Sequence, residues 1–81
     1  MNPSTSAPIR LIVESEDIKK SLKLESVLAN LDFVTNYSIE KFDSNEIIYK
    51  IYYSNSPKRF LKDVLSYDIY IDINSTNWKI Q

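Results

Sequence analysis

The chain reads as an α+β protein of the ferredoxin-like β-α-β-β-α-β type: a four-stranded antiparallel sheet in order 4-1-3-2 with two helices on one face. Three observations lead there. Apolar residues alternate with period two in four segments and recur at helical spacing in two others, in that order along the chain. The connections are short, and right-handed crossovers then favour this arrangement. Ile12 puts an apolar side chain on the second face of the first strand, as suits a central strand.

Each element has its own signal. Met1 to Pro8 holds two of the three prolines and no large apolar residue after Met1. It reads as a flexible linker or tail, leaving 9–81 as a single domain. Ile9 to Glu14 is the first strand, with Ile9, Leu11 and Val13 on one face and Arg10, Ile12 and Glu14 on the other. Ser15 is an N-cap candidate, and Glu16 and Asp17 favour the positive end of a helix. That helix should run to about Leu31, with Leu24, Val27, Leu28 and Leu31 on one stripe and Ile18 and Leu22 off it. With no glycine in the chain, Asn30 or Asp32 is expected to end it in the left-handed conformation.

Val34 to Phe42 is the second strand. Tyr37 and Ile39 share a face and Val34 has the other parity, so a bulge is expected near Thr35 or Asn36. Asp43-Ser44-Asn45 is a tight turn, with Asn45 expected at positive φ. Glu46 to Ser54 is the third strand, with Ile47, Tyr49, Ile51 and Tyr53 opposing Ile48, Lys50 and Tyr52. Ser56-Pro57 is an N-cap followed by a first-turn proline. Phe60, Leu61, Val64 and Leu65 form the stripe of the second helix, and Lys58, Arg59, Lys62 and Asp63 are expected to face water. Ile69, Ile71 and Ile73 alternate with Tyr70 and Asp72 as a fourth strand. Asn74 to Asn77 is turn chemistry, and Trp78 to Gln81 can pair back as a short fifth strand.

Three absences narrow the chemistry. Among 81 residues, with a net charge of −1, there is no Gly, no His and no Cys. A histidine-based triad, a thiolate nucleophile, a Cys-ligated metal and a glycine-rich phosphate loop are all excluded. No metal or other cofactor is expected, and no catalytic residue stands out. No apolar run approaches the ~20 residues of a membrane span, and the first twenty residues lack the pattern of a signal peptide. A domain this small buries only about 60% of its unfolded surface, so its large apolar residues go to the core and leave little room for a ligand cavity.

Charged residues mostly read as solvated. Asp43, Glu46, Asp68 and Asp72 flank turns and edges and form no calcium loop. Tyr37, Tyr49 and Tyr53 have core spacing, with the hydroxyl at the rim.

The candidate binding surface is the helix-free face of the sheet: Arg10, Ile12, Ile48, Lys50, Tyr52 and Tyr70. Ile12, Ile48 and Tyr52 would form a small apolar patch rimmed by Arg10, Lys50 and Asp72, the composition of a modest docking surface. The alternative is that Trp78 or the N-terminal tail folds over it. RNA-recognition sheets use this same face, but strand one offers no aromatic here and the field is not basic. The expected role is a non-catalytic interaction or structural module, a monomer or weak homodimer. Its partner would be another protein or the remainder of a parent chain. A small-ligand-sensing regulatory domain and a single-stranded nucleic-acid-binding module are the alternatives.

The run Leu24-Glu25-Ser26-Val27-Leu28-Ala29-Asn30-Leu31-Asp32-Phe33-Val34, then the hairpin Ile39 to Tyr53, a short helix and a terminal Trp78-Lys79-Ile80, resembles a small domain of exported proteobacterial proteins of unknown function. Members usually carry a glycine or proline before the position of Val34, where this chain has Asp32-Phe33. The resemblance implies a periplasmic or envelope location and a larger parent protein; without it, a cytoplasmic location is expected. It implies no catalytic residues.

Overall fold

A computed structural model describes residues 8–74 and 77–81. Apart from Pro8, the expected linker lies outside the described residues, as do Ser75 and Thr76 of the last turn. The elements are β1 (Ile9–Glu14), α1 (Ile18–Asn30), β2 (Val34–Phe42), β3 (Glu46–Tyr53), α2 (Pro57–Leu65), β4 (Ile71–Asp72) and β5 (Trp78–Ile80). The class is α+β, as expected, but the sheet is not the four-stranded antiparallel 4-1-3-2 form. It has five strands in order β2-β3-β1-β5-β4. β1 is central and antiparallel to β3, and β3 is antiparallel to β2. The difference lies on the far side of β1, where β5 pairs parallel to it, with Leu11 beside Trp78 and Ile12 beside Lys79.

The reason lies in the last quarter of the chain. The expected fourth strand shrinks to Ile71–Asp72, with Tyr70 and Ile73 outside it. The hairpin returns so that Ile71 lies opposite Ile80 and Asp72 opposite Lys79, and the Gln81 amide donates to the Tyr70 carbonyl at 2.9 Å. Ile80 is 5% exposed. Seating β5 beside β1 thus gives β5 hydrogen bonds on both edges and buries Ile80 in the core.

Both helices lie on one face of the sheet. Leu24, Val27 and Leu28 of α1 and Phe60 and Val64 of α2 share a single core with Leu11, Val13, Ile47, Tyr49, Ile51 and Tyr53. The stripe of α1 is as read, whereas Ile18 and Leu22 remain largely exposed. Its cap is Asp17, not Ser15: the Asp17 carboxylate accepts the Lys20 amide at 3.3 Å. In α2 the Ser56 hydroxyl accepts the Arg59 amide at 3.2 Å, with Pro57 in the first turn, as read. Its flanking residues Leu61 and Leu65 are only partly covered.

The left-handed positions differ from expectation. Neither Asn45 nor Asn30 nor Asp32 has positive φ; among the described residues only Asp68 does, at 65°. In the β2–β3 turn the Asp43 carboxylate accepts the Asn45 and Glu46 amides at 2.8 and 2.9 Å, which shapes the turn without a left-handed residue. α1 ends on Leu31 in extended conformation. Asp68 instead turns the chain out of α2, where the Ile69 amide reaches back to the Val64 carbonyl at 3.1 Å.

Candidate docking face of the sheet

The helix-free face is built by strand parity. Residues in register share a face, so Ile12 lines up with Ile48 on one side and Lys79 on the other, and Arg10 lies beside Lys50. Ile48 in turn lies opposite Lys41 of β2, and Lys50 opposite Ser38. Arg10, Ile12, Ile48, Lys50 and Tyr52 therefore come together on this face. Tyr70 does not. It lines a separate groove with Leu61 and Leu65 of α2 and Ile73, because the shortened β4 begins only at Ile71 and leaves Tyr70 outside it.

Trp78 does not cover the patch. Its register with Leu11 sends it to the helix side, where it packs against the core. Among the described residues no helix or strand lies over Ile12 and Ile48, yet neighbouring side chains leave both only partly exposed.

The charges are more ordered than the sequence shows. Arg10 spans the width of β3 to pair with Glu40 of β2, at 2.7 Å from Nε to Oε1 and 3.1 Å from Nη2 to Oε2. That hydrogen bond holds the Glu40 carboxyl below the usual range, with Lys50 adding to the effect. Glu40 reaches this face because the register shifts between Ile39 and Lys41, a second bulge beyond the expected one between Val34 and Asn36. The Lys50 ammonium lies 5.6 Å from the centre of the Tyr52 ring. Lys41 pairs with Asp43 at 3.4 Å. Glu40, Lys41 and Lys79 were missed in the sequence. The available signal was the Ile39-Glu40-Lys41-Phe42 run, whose three-residue apolar spacing cannot sit on one face of an unbroken strand.

One end of the face is acidic. Glu14, Glu16 and Glu46, with Ser44, Asn45, Ile12 and Lys79, line a recess of about 420 Å³. Glu14 and Glu46 face each other in register. Among the described residues no group of three acidic, His or Cys side chains is placed to hold a metal ion.

The hydroxyls of the two buried tyrosines serve packing. Tyr49 donates to Glu25 of α1 at 2.6 Å, and Tyr53 donates to Asp63 of α2, which also accepts from Arg59 at 2.9 Å. Asp63, expected to face water, is therefore a partner of the core rim. Burial, reinforced by Glu25, pushes the Tyr49 hydroxyl up to about 12, and burial with Asp63 raises Tyr53 as well. The Tyr53 hydrogen bond in turn lowers the Asp63 carboxyl.

Among the described residues no helix is long and apolar enough to cross a membrane. No protein-family model, characterised protein or solved structure matches the chain.

Proposed function

We propose that this domain is a non-catalytic interaction module that docks a protein segment on the helix-free sheet face. One observation carries the reading: the Ile12–Ile48 pair lies in a single row between Lys79 and Lys41, on a face that no described helix or strand covers. Lys50 and Lys79 make no ion pair among the described residues, whereas Arg10 and Lys41 are held by Glu40 and Asp43. An apolar centre between cations suits a segment with an apolar anchor flanked by carboxylates. The acidic recess at one end disfavours a polyphosphate, which would meet Glu14 and Glu46.

Selection from a random-peptide display library tests this. Enriched sequences should carry a large apolar residue beside Asp or Glu and should lose binding to Ile48→Glu. Peptides that bind Ile48→Glu as well as the native protein would contradict the reading.

A further inference from the structure

We propose that the outer side of the helix layer docks this domain on an anionic lipid bilayer, lying on its surface without crossing it. This surface is on the opposite side of the molecule from the sheet face proposed above, and neither site depends on the other.

Charge is segregated within a chain whose net charge is only −1. In α1, Lys19, Lys20 and Lys23 stand against the single carboxylate Glu25. In α2, Lys58, Arg59 and Lys62 stand against the single carboxylate Asp63. Both carboxylates turn inward. Glu25 accepts the Tyr49 hydroxyl at 2.6 Å, Asp63 accepts the Tyr53 hydroxyl, and both residues are half-buried. Neither helix therefore has an exposed carboxylate. The N-cap residue Asp17 pairs with Lys20 at 3.6 Å, and Arg59 pairs with Asp63. Lys19, Lys58 and Lys62 are exposed and make no ion pair among the described residues. Glu16, Asp32 and Asp68 stand beyond the helix ends, not along the helices.

The outer side also carries apolar surface. Leu24, Val27 and Leu28 commit one stripe of α1 to the core. Ile18 and Leu22 form a second row, one turn apart, and are 59% and 63% exposed. Lys19 and Lys23 form the neighbouring row, since residues four apart follow each other along a helix. The Lys23 ammonium lies 3.5 Å from the Asp68 carbonyl, just beyond α2, so this side of α1 adjoins the end of α2.

The combination identifies the occupant. Exposed aliphatic side chains set beside unpaired lysines match the boundary of an anionic bilayer. The ammonium groups reach headgroup phosphates, while the lysine stems, Ile18 and Leu22 enter the edge of the acyl region. A nucleic acid would use the lysines but leave Ile18 and Leu22 against its phosphates. Neither helix presents an exposed aromatic ring on which a base could stack. Docked this way, the domain holds the Ile12–Ile48 row away from the bilayer, open to a segment in solution.

Vesicle flotation of the full chain tests this. Vesicles of phosphatidylcholine alone are compared with phosphatidylcholine mixed with phosphatidylglycerol, at low and at physiological ionic strength. The protein should float with the anionic vesicles and not with the neutral ones, and binding should weaken as salt is raised. The double variant Lys19→Glu/Lys23→Glu should lower the partition coefficient at least about tenfold. Leu22→Ser should lower it several-fold with the circular dichroism spectrum unchanged. Ile48→Glu should leave vesicle binding intact, so failure of the sheet-face reading and failure of this one are separate results. No binding to anionic vesicles at low ionic strength overturns the proposal. So does equal binding to neutral vesicles, or binding indifferent to Lys19→Glu/Lys23→Glu. A single-stranded oligonucleotide bound more tightly than the vesicles, and indifferent to Leu22→Ser, would overturn it in favour of nucleic acid.

Discussion

Arg10 and Glu40 face each other across β3, one on each neighbouring strand, with Nε 2.7 Å from Oε1. The pair fixes two charges that would otherwise be available to a ligand, and it leaves the Ile12–Ile48 row as the apolar centre of the face. Both side chains are solvent-exposed, and exposed pairs contribute little to folding. Its consequence belongs to binding. Glu40→Gln should free Arg10, raise affinity for an acidic peptide and steepen the salt dependence, as read by titration at several ionic strengths.

Ile48→Glu separates a docking role from a folding role. The side chain is only partly buried and nothing described covers it. Urea denaturation should show a change within about 1 kcal/mol, as for substitutions away from the core. A loss of several kcal/mol would mean that the patch is sealed in the folded protein.

Leu28 is 2% exposed and sits in the centre of the α1 stripe. Leu28→Ala should cost about 2–5 kcal/mol through lost burial and the cavity left behind. The measurement is the shift in the denaturation midpoint at unchanged slope.

Asp68 adopts φ 65° in a chain that contains no glycine. Asp68→Gly should leave stability unchanged or raise it by up to about 1 kcal/mol, because glycine enters the left-handed region without a Cβ clash. Asp68→Val should lose at least ~1 kcal/mol, since a β-branched residue does not tolerate positive φ. Thermal unfolding of the two variants side by side reads the difference.

The pH profile follows from the shifted groups. The Asp63 carboxyl is lowered by the Tyr53 hydrogen bond, so its contribution is present above its unfolded value and is lost as pH falls through the folded one. Stability should therefore decline below about pH 4. Tyr49 is raised to about 12 by burial, so its contribution holds below the unfolded value near 10 and is lost as pH rises toward 12. Ultraviolet titration should show a late tyrosine phase, and Tyr49→Phe should remove part of it.

Much of this was legible in the sequence because local rules governed it. Strict alternation in Glu46 to Tyr53 gave β3 and its two faces, and Ser56-Pro57 gave the start of α2. The same parity placed Arg10, Ile12, Ile48, Lys50 and Tyr52 together. What was not legible depended on competition between distant segments. Alternation in Ile69 to Ile73 suggested a full strand, yet β5 took the position beside β1, leaving β4 at the edge and Tyr70 out of the face. The bulge at Glu40 escaped notice because no glycine marks it. Residue type alone favours a left-handed φ at Asn45, but the Asp43 carboxylate supplies the turn's hydrogen bonds instead.

The account rests most on the sheet face, and amide chemical-shift mapping tests that directly. The full chain is titrated with a short peptide carrying a central Phe flanked by Asp and Glu. The account predicts that the largest shifts cluster at Ile12, Ile48, Lys50, Tyr52 and Lys79, and that Ile48→Glu abolishes them. Shifts confined to the groove of Leu61, Leu65 and Ile73, or no saturable shift at any concentration, would contradict it.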